Sequence, residues 1–266
     1  MDQTDELRAR LRTDRPHSAR VWNYLLGGKD NYPVDSELGD VILASFPEFA
    51  SVARQQRRFL ARAVDFLVRE AGIRQFLDIG AGLPTADNTH ELAQRIAPES
   101  RIVYVDNDPL VLTHAQALLT TSAEGACAYV DADVRDPARI LAEAAATLDL
   151  DKPVALTMLG IMGQLADADR PAELVAALMS GLPSGSFLAL SDGTNTNDAL
   201  SRAVEAYNRQ SVHTYHLRSP QEIASFFAGL DLVTPGAVSS TAWRPDPSRP
   251  RETTAEVAFC GVARKP

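Results

Sequence analysis

The fold of this chain is decided by residues 76–85, which read FLDIGAGLPT. A short apolar run leads into a turn that contains Gly80 and Gly82, and this pattern is typical of the first strand and turn of an open α/β sheet. Neither glycine has a Cβ, so the backbone can turn sharply and a ligand can approach it closely. Pro84 suits the first turn of a helix, where a missing N–H loses no hydrogen bond. The pattern therefore predicts a strand, a ligand-binding turn and a helix that begins at Thr85.

Asp78 stands two residues before Gly80, and its charge indicates which kind of cofactor the turn binds. A dinucleotide would place a pyrophosphate at this turn, where the carboxylate would repel it. Thr85 also occupies the position of the third glycine of the dinucleotide fingerprint. A cofactor with an ammonium group would instead be attracted, and S-adenosylmethionine has one on its amino-acid arm. We therefore expect S-adenosylmethionine rather than NAD.

Strand-like apolar runs alternate with helical patterns after this turn. The predicted strands are 75–79, 101–105, 126–130, 154–159 and 186–190, and the predicted helices are 85–96, 109–119, 137–146, 170–180 and 198–208. This alternation predicts a parallel sheet covered on both faces, which is a Rossmann-like α/β fold. A helix over 220–230, short strands near 232–233 and 254–260 and a proline-rich connection over 243–251 predict an antiparallel hairpin at the edge of the sheet.

Three helical patterns precede the first strand, over 19–26, 35–45 and 48–71, and residues 1–12 favour a marginal helix. Ser18 is the expected N-cap of the first of them. Helices placed before the sheet can fold over the strand ends, where ligands bind. We therefore predict an N-terminal helical lid over 1–70 and a Rossmann-like catalytic domain over 71–266. A helical layer packed on the face of the sheet is the alternative.

Composition and charge limit the classes of partner. The chain has 266 residues, of which 45% are hydrophobic and 23% charged, so it can bury a sizeable core. A formal net charge of −9 argues against a nucleic-acid partner, and the basic run at 54–62 is typical of a solvated helix face. A signal peptide and a membrane-length apolar run are both lacking, so we expect a cytoplasmic enzyme with no membrane partner.

Cysteine and histidine spacing predicts no metal site. Cys127 and Cys260 both lie in apolar strand-like runs, which favours buried free thiols over a disulfide. His213 and His216 are three residues apart, but no third ligand is clustered with them.

Acidic residues follow the second and third predicted strands. Asp106 lies 24 residues after Gly82, close to the spacing at which an acid binds the hydroxyls of a ribose. Asp133 could accept a hydrogen bond from an adenine amino group while Val134 covers the ring. Asp108, directly before a proline, is better explained as a helix N-cap.

With these acids in place, the chain resembles the class I S-adenosylmethionine-dependent methyltransferases. Within them it is similar to a largely uncharacterised bacterial family of S-adenosyl methyltransferases, first catalogued as a domain of unknown function. The matching stretches are 16–20 (PHSAR), 24–31 (YLLGGKDN), 78–91 (DIGAGLPTADNTHE), 105–109 (VDNDP), 129–137 and 218–220, and the resemblance covers nearly the whole chain. It implies a class I methyltransferase fold with a mostly parallel sheet, an antiparallel edge hairpin and an N-terminal helical cap.

The resemblance also implies which residues bind the cofactor. Asp78 and the two glycines would hold the amino-acid arm, Asp106 and Asn107 the ribose, and Asp133 with Val134 the adenine. The loop 27–31 would close on the cofactor, although from its residues alone it could equally be a plain connector. The full expected set is Arg20, Tyr24, Gly28, Lys29, Asn31, Asp78, Gly80, Ala81, Gly82, Pro84, Thr85, Asn88, Asp106, Asn107, Asp133, Val134 and Leu159. His90 either lines the same pocket or lies on a helix surface.

The acceptor side is less defined. Its candidate residues are Trp22, Tyr24, Tyr32, Gln164, Asp192, Tyr207 and Trp243, of which Tyr24, Tyr32, Gln164 and Asp192 are the catalytic candidates. Many relatives have a histidine shortly after the fourth strand and another at the end of the fifth, where this chain has Gly163 and Asp192. A general base at those positions would therefore be missing or different.

The sequence thus predicts an S-adenosylmethionine-dependent methyltransferase that acts on a small-molecule acceptor, with natural-product biosynthesis as its expected setting. One alternative is an enzyme that transfers or cyclises the aminobutyrate arm and releases methylthioadenosine. The other is a sensor that binds the cofactor without turnover. A homodimer is the assembly that we would test first.

Overall fold

A mixed β-sheet organises the protein, whose computed structural model describes residues 12–84, 87–111, 113, 121–211, 213–248 and 257–266. Several predictions fall wholly or partly outside these residues: the helix over 1–12, the site residue Thr85, most of the helix over 109–119, and parts of the proline-rich connection over 243–251 and of the strand over 254–260. The described residues form an eight-stranded sheet and the helices around it.

The strands are β1 Gln75–Ile79, β2 Arg101–Asp106, β3 Ala126–Asp131, β4 Ala155–Leu159, β5 Phe187–Gly193, β6 Asp231–Leu232, β7 Val238–Ser239 and β8 Ala258–Arg264. Their order is β3-β2-β1-β4-β5-β8-β6, and β7 also pairs with β8. Strands β1 to β5 are parallel, whereas β8 runs antiparallel to β5, β6 and β7. The predicted mostly parallel sheet with antiparallel strands at one edge is confirmed, although β8 lies inside that edge, between β5 and β6.

The helices are α1 Ser18–Leu25, α2 Pro33–Ser45, α3 Phe49–Arg69, α4 Thr89–Ile96, α5 Pro137–Ala144, α6 Pro171–Ser180, α7 Asp198–Gln210 and α8 Pro220–Ser225. In addition, Pro109 to Val111 are helical. Their bounds follow the predicted ones to within a few residues, apart from the start of α4 and the end of α8.

Two predicted helix starts are wrong. Helix α4 begins at Thr89 rather than Thr85, because Asp87 has a left-handed φ of 59° and Glu91 accepts a hydrogen bond from the backbone N–H of Asn88 at 2.8 Å. Pro84 therefore lies in the loop and not in the first helical turn. Ser18 is the first residue of α1, and its N-cap is His17.

Apolar side chains cover both faces of the sheet, as the near-continuous hydrophobic runs of parallel strands require. On one face, Phe59 and Leu67 of α3 pack against Phe76 of β1. On the other face, Leu77 of β1 lies in a cluster with Ile140 of α5. Each such side chain is fully buried, which stabilises the fold by about 1.5–3 kcal/mol per residue.

Helices α1 and α2 pack with α7 rather than on the sheet. Their apolar side chains form a separate buried cluster that includes Val21, Leu38 and Leu200. The helices N-terminal to the sheet thus contribute to two different layers, since α3 covers a face of the sheet. The division at residue 70 stays a prediction. None of the helices in the described ranges combines the length and hydropathy that a membrane span requires.

Candidate active site

A cleft opens at the carboxyl ends of β1, β2, β4 and β5, beneath α1, α3 and α7. The strand order reverses between β1 and β4, and the crevice at such a switch point is where open α/β sheets bind ligands. The predicted site residues that line the cleft are Trp22, Asp78, Gly80, Ala81, Gly82, Asp106, Asn107, Asp133, Val134, Leu159, Gln164, Asp192 and Tyr207.

The turn after β1 requires its glycines. Gly80 and Gly82 have φ values of +72° and +66°, a region that side chains rarely adopt. A Cβ on Gly80 would also lie 2.9 Å from Cδ1 of Ile161, another residue of the cleft wall. The turn is fixed to the neighbouring strand because Gly80 N donates to the carbonyl of Val105 at 2.8 Å.

Asp78 is a nearly buried carboxylate at the end of β1, with 7% of its surface exposed. Its Oδ2 accepts a hydrogen bond from Thr89 at 2.6 Å. Burial raises the pKa of Asp78, and the hydrogen bonds from Thr89 and Thr157 and the charge of Arg57 offset part of that increase. A buried carboxylate favours a cationic partner, so the residue fits a ligand ammonium.

Asp106 connects the glycine turn to the end of β2. Its Oδ2 accepts from the backbone N–H of Gly82 at 2.8 Å, and its Oδ1 accepts from that of Asp108 at 2.9 Å. Burial raises the pKa of Asp106 despite these two bonds. One lone pair on each oxygen remains for the hydroxyls of a bound sugar.

Asp133 lies at the more exposed end of the cleft, after β3. Its Oδ1 accepts from the backbone N–H of Arg135 at 2.9 Å, and the Arg135 guanidinium contacts the same oxygen at 3.2 Å. Asn107 donates to its Oδ2 at 3.3 Å. Asp106, Asn107 and Asp133 thus form a continuous polar wall across the ends of β2 and β3.

Several predicted cofactor residues lie away from the cleft wall. Those in the described residues are Arg20, Tyr24, Gly28, Lys29, Asn31, Pro84 and Asn88, together with the acceptor candidates Tyr32 and Trp243. Arg20 is buried against Asp35 of α2, with Nε and Oδ2 3.2 Å apart. Tyr24 donates to Asp40 at 2.5 Å, and its ring fills the space where Gly39 lacks a Cβ.

The loop 27–31 binds to its own helix. Asn31 donates to the side chain of Asn23 and to the carbonyl of Gly28, both at 3.1 Å. A Cβ on Gly28 would lie 2.4 Å from the Asn23 amide, so this glycine makes room for an internal contact. Lys29 is exposed. These residues contact α1 and are not part of the cleft wall.

Trp243 and His90 belong to the core. Trp243 is fully buried on the α3 side of the sheet, with its ring edge-on to Phe59 at 5.5 Å. The prediction that it faces the acceptor is therefore wrong. His90 contacts the hydroxyl of Tyr104 at 2.8 Å through Nδ1, and burial lowers its pKa. Both expectations for His90, a place in the pocket or on a helix surface, are wrong.

The cleft wall also includes Arg57, although the basic run 54–62 to which it belongs is typical of a solvated helix face. Arg57 of α3 lines the cleft, and its Nη2 donates to the carbonyl of Asp87 at 3.1 Å. Burial lowers the pKa of Arg57, and the nearby charge of Asp78 raises it. Arg62 also turns inward and donates to the carbonyl of Trp243 at 2.8 Å. The solvated face is confirmed only for Arg54 and Arg58, which are exposed.

Two histidines stand at the same cleft. Nδ1 of His17 lies 2.9 Å from Oδ2 of Asp108, and the ring of His213 meets that of His17 edge-on at 5.4 Å. Burial alone would raise the pKa of Asp108, but its hydrogen bond and charge interaction with His17 lower it. Asp108 also accepts from the backbone N–H of Leu110 at 2.9 Å, which confirms its predicted capping role.

Asp192 lines the cleft, and its carboxylate binds the backbone of Gly163. Oδ2 of Asp192 accepts from Gly163 N at 3.0 Å, and Oδ1 accepts from Gly193 N at 2.8 Å and from the hydroxyl of Tyr215. Burial raises the pKa of Asp192, and these hydrogen bonds lower it in part. Tyr215 lies outside every motif of the sequence, so no pattern predicted its place at the cleft.

The remaining wall of the cleft is apolar. It is formed mainly by α1, α2, α3 and α7, with side chains from Leu25, Leu26, Ile42, Phe49, Val52, Leu60, Leu200, Ala203, Val204, Leu217 and Val257. The positions on α3 follow helical spacing, with Phe49, Val52, Gln56 and Leu60 on one stripe. The cleft therefore has a polar half at the strand ends and an apolar half beneath the helices.

Comparison with known proteins shows the family of the chain. A family model described as S-adenosyl methyltransferase matches residues 4–266. The chain belongs to the S-adenosyl methyltransferase family. Its cofactor is S-adenosylmethionine and its reaction is methyl transfer, which confirms both predictions. No curated protein matches the chain significantly.

Solved structures agree with this assignment. A DUF574 family protein from Streptomyces avermitilis is 46% identical over 96% of this chain and all of its own, with a TM-score of 0.92. A protein from Thermobifida fusca that is inferred to be a methyltransferase is 37% identical over 96% of this chain and 97% of its own, with a TM-score of 0.88. The N-methyltransferase NodS from Bradyrhizobium japonicum, solved with S-adenosylhomocysteine, is 12% identical over 93% of this chain and 99% of its own, and its TM-score of 0.50 shows the fold alone.

Proposed function

We propose that this methyltransferase acts on an apolar small molecule and that the reaction belongs to secondary metabolism. The observation that supports the proposal is the division of the cleft into a polar and an apolar half. Among the described residues of its wall, lysine is absent and the two arginines, Arg57 and Arg135, stand beside Asp78 and Asp133. The apolar half therefore suits an uncharged acceptor better than a phosphorylated intermediate of central metabolism.

In this proposal, the amino-acid arm of the cofactor lies between two opposite charges. Asp78 binds the ammonium and Arg57 binds the carboxylate, since both side chains are held at the wall near the glycine turn. Asp106 and Asn107 bind the ribose hydroxyls, and Asp133 with Val134 binds the adenine. The polar wall described above can supply each of these contacts without a change in the fold.

S-adenosylmethionine supplies a methyl group that its positively charged sulfur makes electrophilic. The protein then has to place the acceptor in line with that methyl group and keep water out. Trp22 and Phe49, whose rings meet edge-on at 5.8 Å, contribute apolar surface for this purpose. Within the predicted lid, α1 and α2 are the segment that we propose closes the cleft.

Calorimetric titration with S-adenosylhomocysteine tests the cofactor site. We expect Asp78→Asn and Arg57→Met each to weaken binding by about 10- to 100-fold, because each removes a charged hydrogen bond. Methylthioadenosine lacks the amino-acid arm, so its affinity should not change in either variant. Asp65→Asn and Arg58→Met are matched controls on the exposed side of α3. An unchanged affinity of Asp78→Asn for S-adenosylhomocysteine would contradict the assignment.

The nucleoside product tests the reaction. The protein is incubated with S-adenosylmethionine and an extract of small molecules, and the nucleosides are identified by mass spectrometry. S-adenosylhomocysteine is the expected product. Methylthioadenosine would indicate use of the aminobutyrate arm, and recovery of the cofactor unchanged would indicate a sensor.

A further inference from the structure

Tyr215 holds a fixed position in the wall of the cleft. Its backbone N–H donates to the side chain of Asn208 at 2.7 Å, and Asn208 donates back to its carbonyl at 2.9 Å. Its hydroxyl donates to Asp192, a carboxylate with 3% of its surface exposed. The ring is part of the cleft wall. The phenol group is therefore oriented before any ligand binds.

Gly163 makes the position of this ring possible, and Gly193 borders its hydroxyl. A Cβ on Gly163 would lie 2.3–2.5 Å from the ring of Tyr215, and one on Gly193 would lie 3.5 Å from its hydroxyl oxygen. The backbone N–H groups of the same two residues bind the Asp192 carboxylate at 3.0 and 2.8 Å. A side chain at position 163 would therefore exclude Tyr215. The positions of Gly163, Tyr215 and Asp192 therefore depend on one another.

We propose that Tyr215 is a catalytic residue that accepts a hydrogen bond from the hydroxyl group of a phenolic acceptor and relays its proton to Asp192. The proposal rests on the methyl-transfer function given above and names the acceptor class for the same cleft. The Tyr215 hydroxyl donates to Asp192 and accepts a long hydrogen bond from Gly193 N at 3.5 Å, so one lone pair of its oxygen remains as an acceptor for a ligand O–H.

A phenol fits this relay for a chemical reason. Burial and the charge of Asp192 raise the pKa of Tyr215, so this residue releases its proton only as it takes one from the acceptor, and a phenolic acceptor is acidic enough to supply that proton. An aliphatic alcohol is a far weaker acid and would not match. The aromatic ring of the acceptor would lie in the apolar half, where Trp22 and Phe49 already form an edge-on pair.

The proton and charge balance is complete. As the bond forms between the acceptor oxygen and the methyl carbon, the carbon–sulfur bond breaks and its electron pair stays on sulfur. The acceptor proton passes to Tyr215 while the Tyr215 proton passes to Asp192. The cofactor loses its positive charge and Asp192 loses its negative charge, so the net charge of the buried site stays the same. Burial favours the neutral form of Asp192, as the raised pKa of this residue indicates.

Ligand binding can test the hydrogen bond without any turnover. The wild-type protein, saturated with S-adenosylhomocysteine, is titrated with 2-naphthol and with 2-methoxynaphthalene, which lacks the O–H, and ligand fluorescence is followed. We expect 2-naphthol to bind about tenfold more tightly. Tyr215→Phe should abolish this preference while the ring still fills its place, and Tyr129→Phe, which lies outside the cleft wall, should retain it.

Turnover tests the relay. With S-adenosylmethionine and 2-naphthol, we expect the wild type to form 2-methoxynaphthalene and Asp192→Asn to form it about 100-fold more slowly or worse. Binding of 2-naphthol by Asp192→Asn should stay within a few-fold of wild type. A wild-type rate in Asp192→Asn, or no product from the wild type, would overturn the proposal.

Failure of this proposal differs from failure of the proposed function. If S-adenosylhomocysteine binds but 2-naphthol fails to bind, or binds no better than its methyl ether, the phenol assignment is wrong and the methyltransferase assignment stands. If S-adenosylhomocysteine itself does not bind, the cofactor site is wrong.

Discussion

At the scale of single residues, the glycine turn after β1 combines two constraints that can be separated. Gly80 and Gly72 have almost the same φ, +72° and +71°, but an added Cβ would contact Ile161 only at position 80 and would meet open space at position 72. The backbone strain of an alanine is therefore common to both positions, whereas the steric clash with the cleft wall occurs at one.

Gly80→Ala and Gly72→Ala test this difference. We expect each to lower the free energy of unfolding by about 1–3 kcal/mol, because a side chain at this φ is strained. Only Gly80→Ala should also weaken binding of S-adenosylhomocysteine, because it displaces Ile161. Chemical denaturation and calorimetry measure the two effects, and equal losses of affinity in both variants would contradict the argument.

The buried acids of the cleft predict an unusual pH dependence for the protein without cofactor. Burial raises the pKa of Asp78, Asp106 and Asp192 above the ordinary 3.8. The native state therefore binds these protons more tightly than the unfolded state. The resulting stabilisation is fully present below pH 3.8 and is lost as the pH rises through the raised values.

Asp78→Asn should therefore be more stable than the wild type at neutral pH in the absence of cofactor. The difference should shrink as the pH falls through the raised pKa of Asp78, where the wild-type carboxyl becomes neutral. Urea denaturation over that range measures it. The exposed Asp65→Asn should change stability by less than about 1 kcal/mol. A less stable Asp78→Asn at neutral pH would show that its hydrogen bonds outweigh its burial.

At the scale of elements, α1 and α2 are joined by a buried ion pair. Arg20 and Asp35 are 1% and 0% exposed, and Asp35 also accepts from the backbone N–H groups of His17 and Tyr32, both at 2.9 Å. Arg20 further donates to the carbonyl of Arg15 at 2.8 Å. One carboxylate thus fixes the start of both helices that cover the cleft.

Asp35→Asn should destabilise the protein by about 3–5 kcal/mol, because it leaves a buried guanidinium without its counter-charge. A matched change in the exposed pair Asp65 and Arg69 should have a small effect. Thermal unfolding of both variants gives the comparison, and equal shifts would contradict the importance of burial.

The strands and helices differ in how much of their structure the local sequence predicts. The strands were found from apolar runs, and their acids were placed correctly because the carboxyl ends of parallel strands meet at one edge. The direction in which a helical side chain points was harder to predict. Arg57 belongs to a run that is typical of solvent exposure, and Arg20 and Tyr24 belong to a specific motif but join α1 to α2. Which neighbour a side chain meets across helices depends on packing that no local pattern specifies.

At the scale of the whole molecule, the helices N-terminal to β1 divide between two layers. Part of the α3 surface packs on the sheet, while α1 and α2 pack with α7 next to the cleft. Tyr215, the residue on which the acceptor proposal depends, comes from the segment after α7. The half of the cleft that we propose for the acceptor is therefore formed by segments far apart in sequence, which is why its chemistry could not be predicted from motifs.

Hydrogen exchange tests whether α1 and α2 move relative to the cleft. We expect S-adenosylhomocysteine to slow amide exchange in α1 and α2, which cover the cleft, and to leave α5 and α6 on the far face almost unchanged. Mass spectrometry with and without the nucleoside measures this. Uniform protection over all four helices would favour a static layer over a lid.

The three acids at the strand ends have a consequence for turnover. In the proposed site they recognise the amino-acid arm, the ribose and the adenine, and methyl transfer alters none of these groups. The product S-adenosylhomocysteine therefore keeps nearly every contact that binds S-adenosylmethionine, and it competes for the same site after each turnover. Flux through the enzyme would then depend on how quickly the cell clears that by-product, as much as on the supply of acceptor.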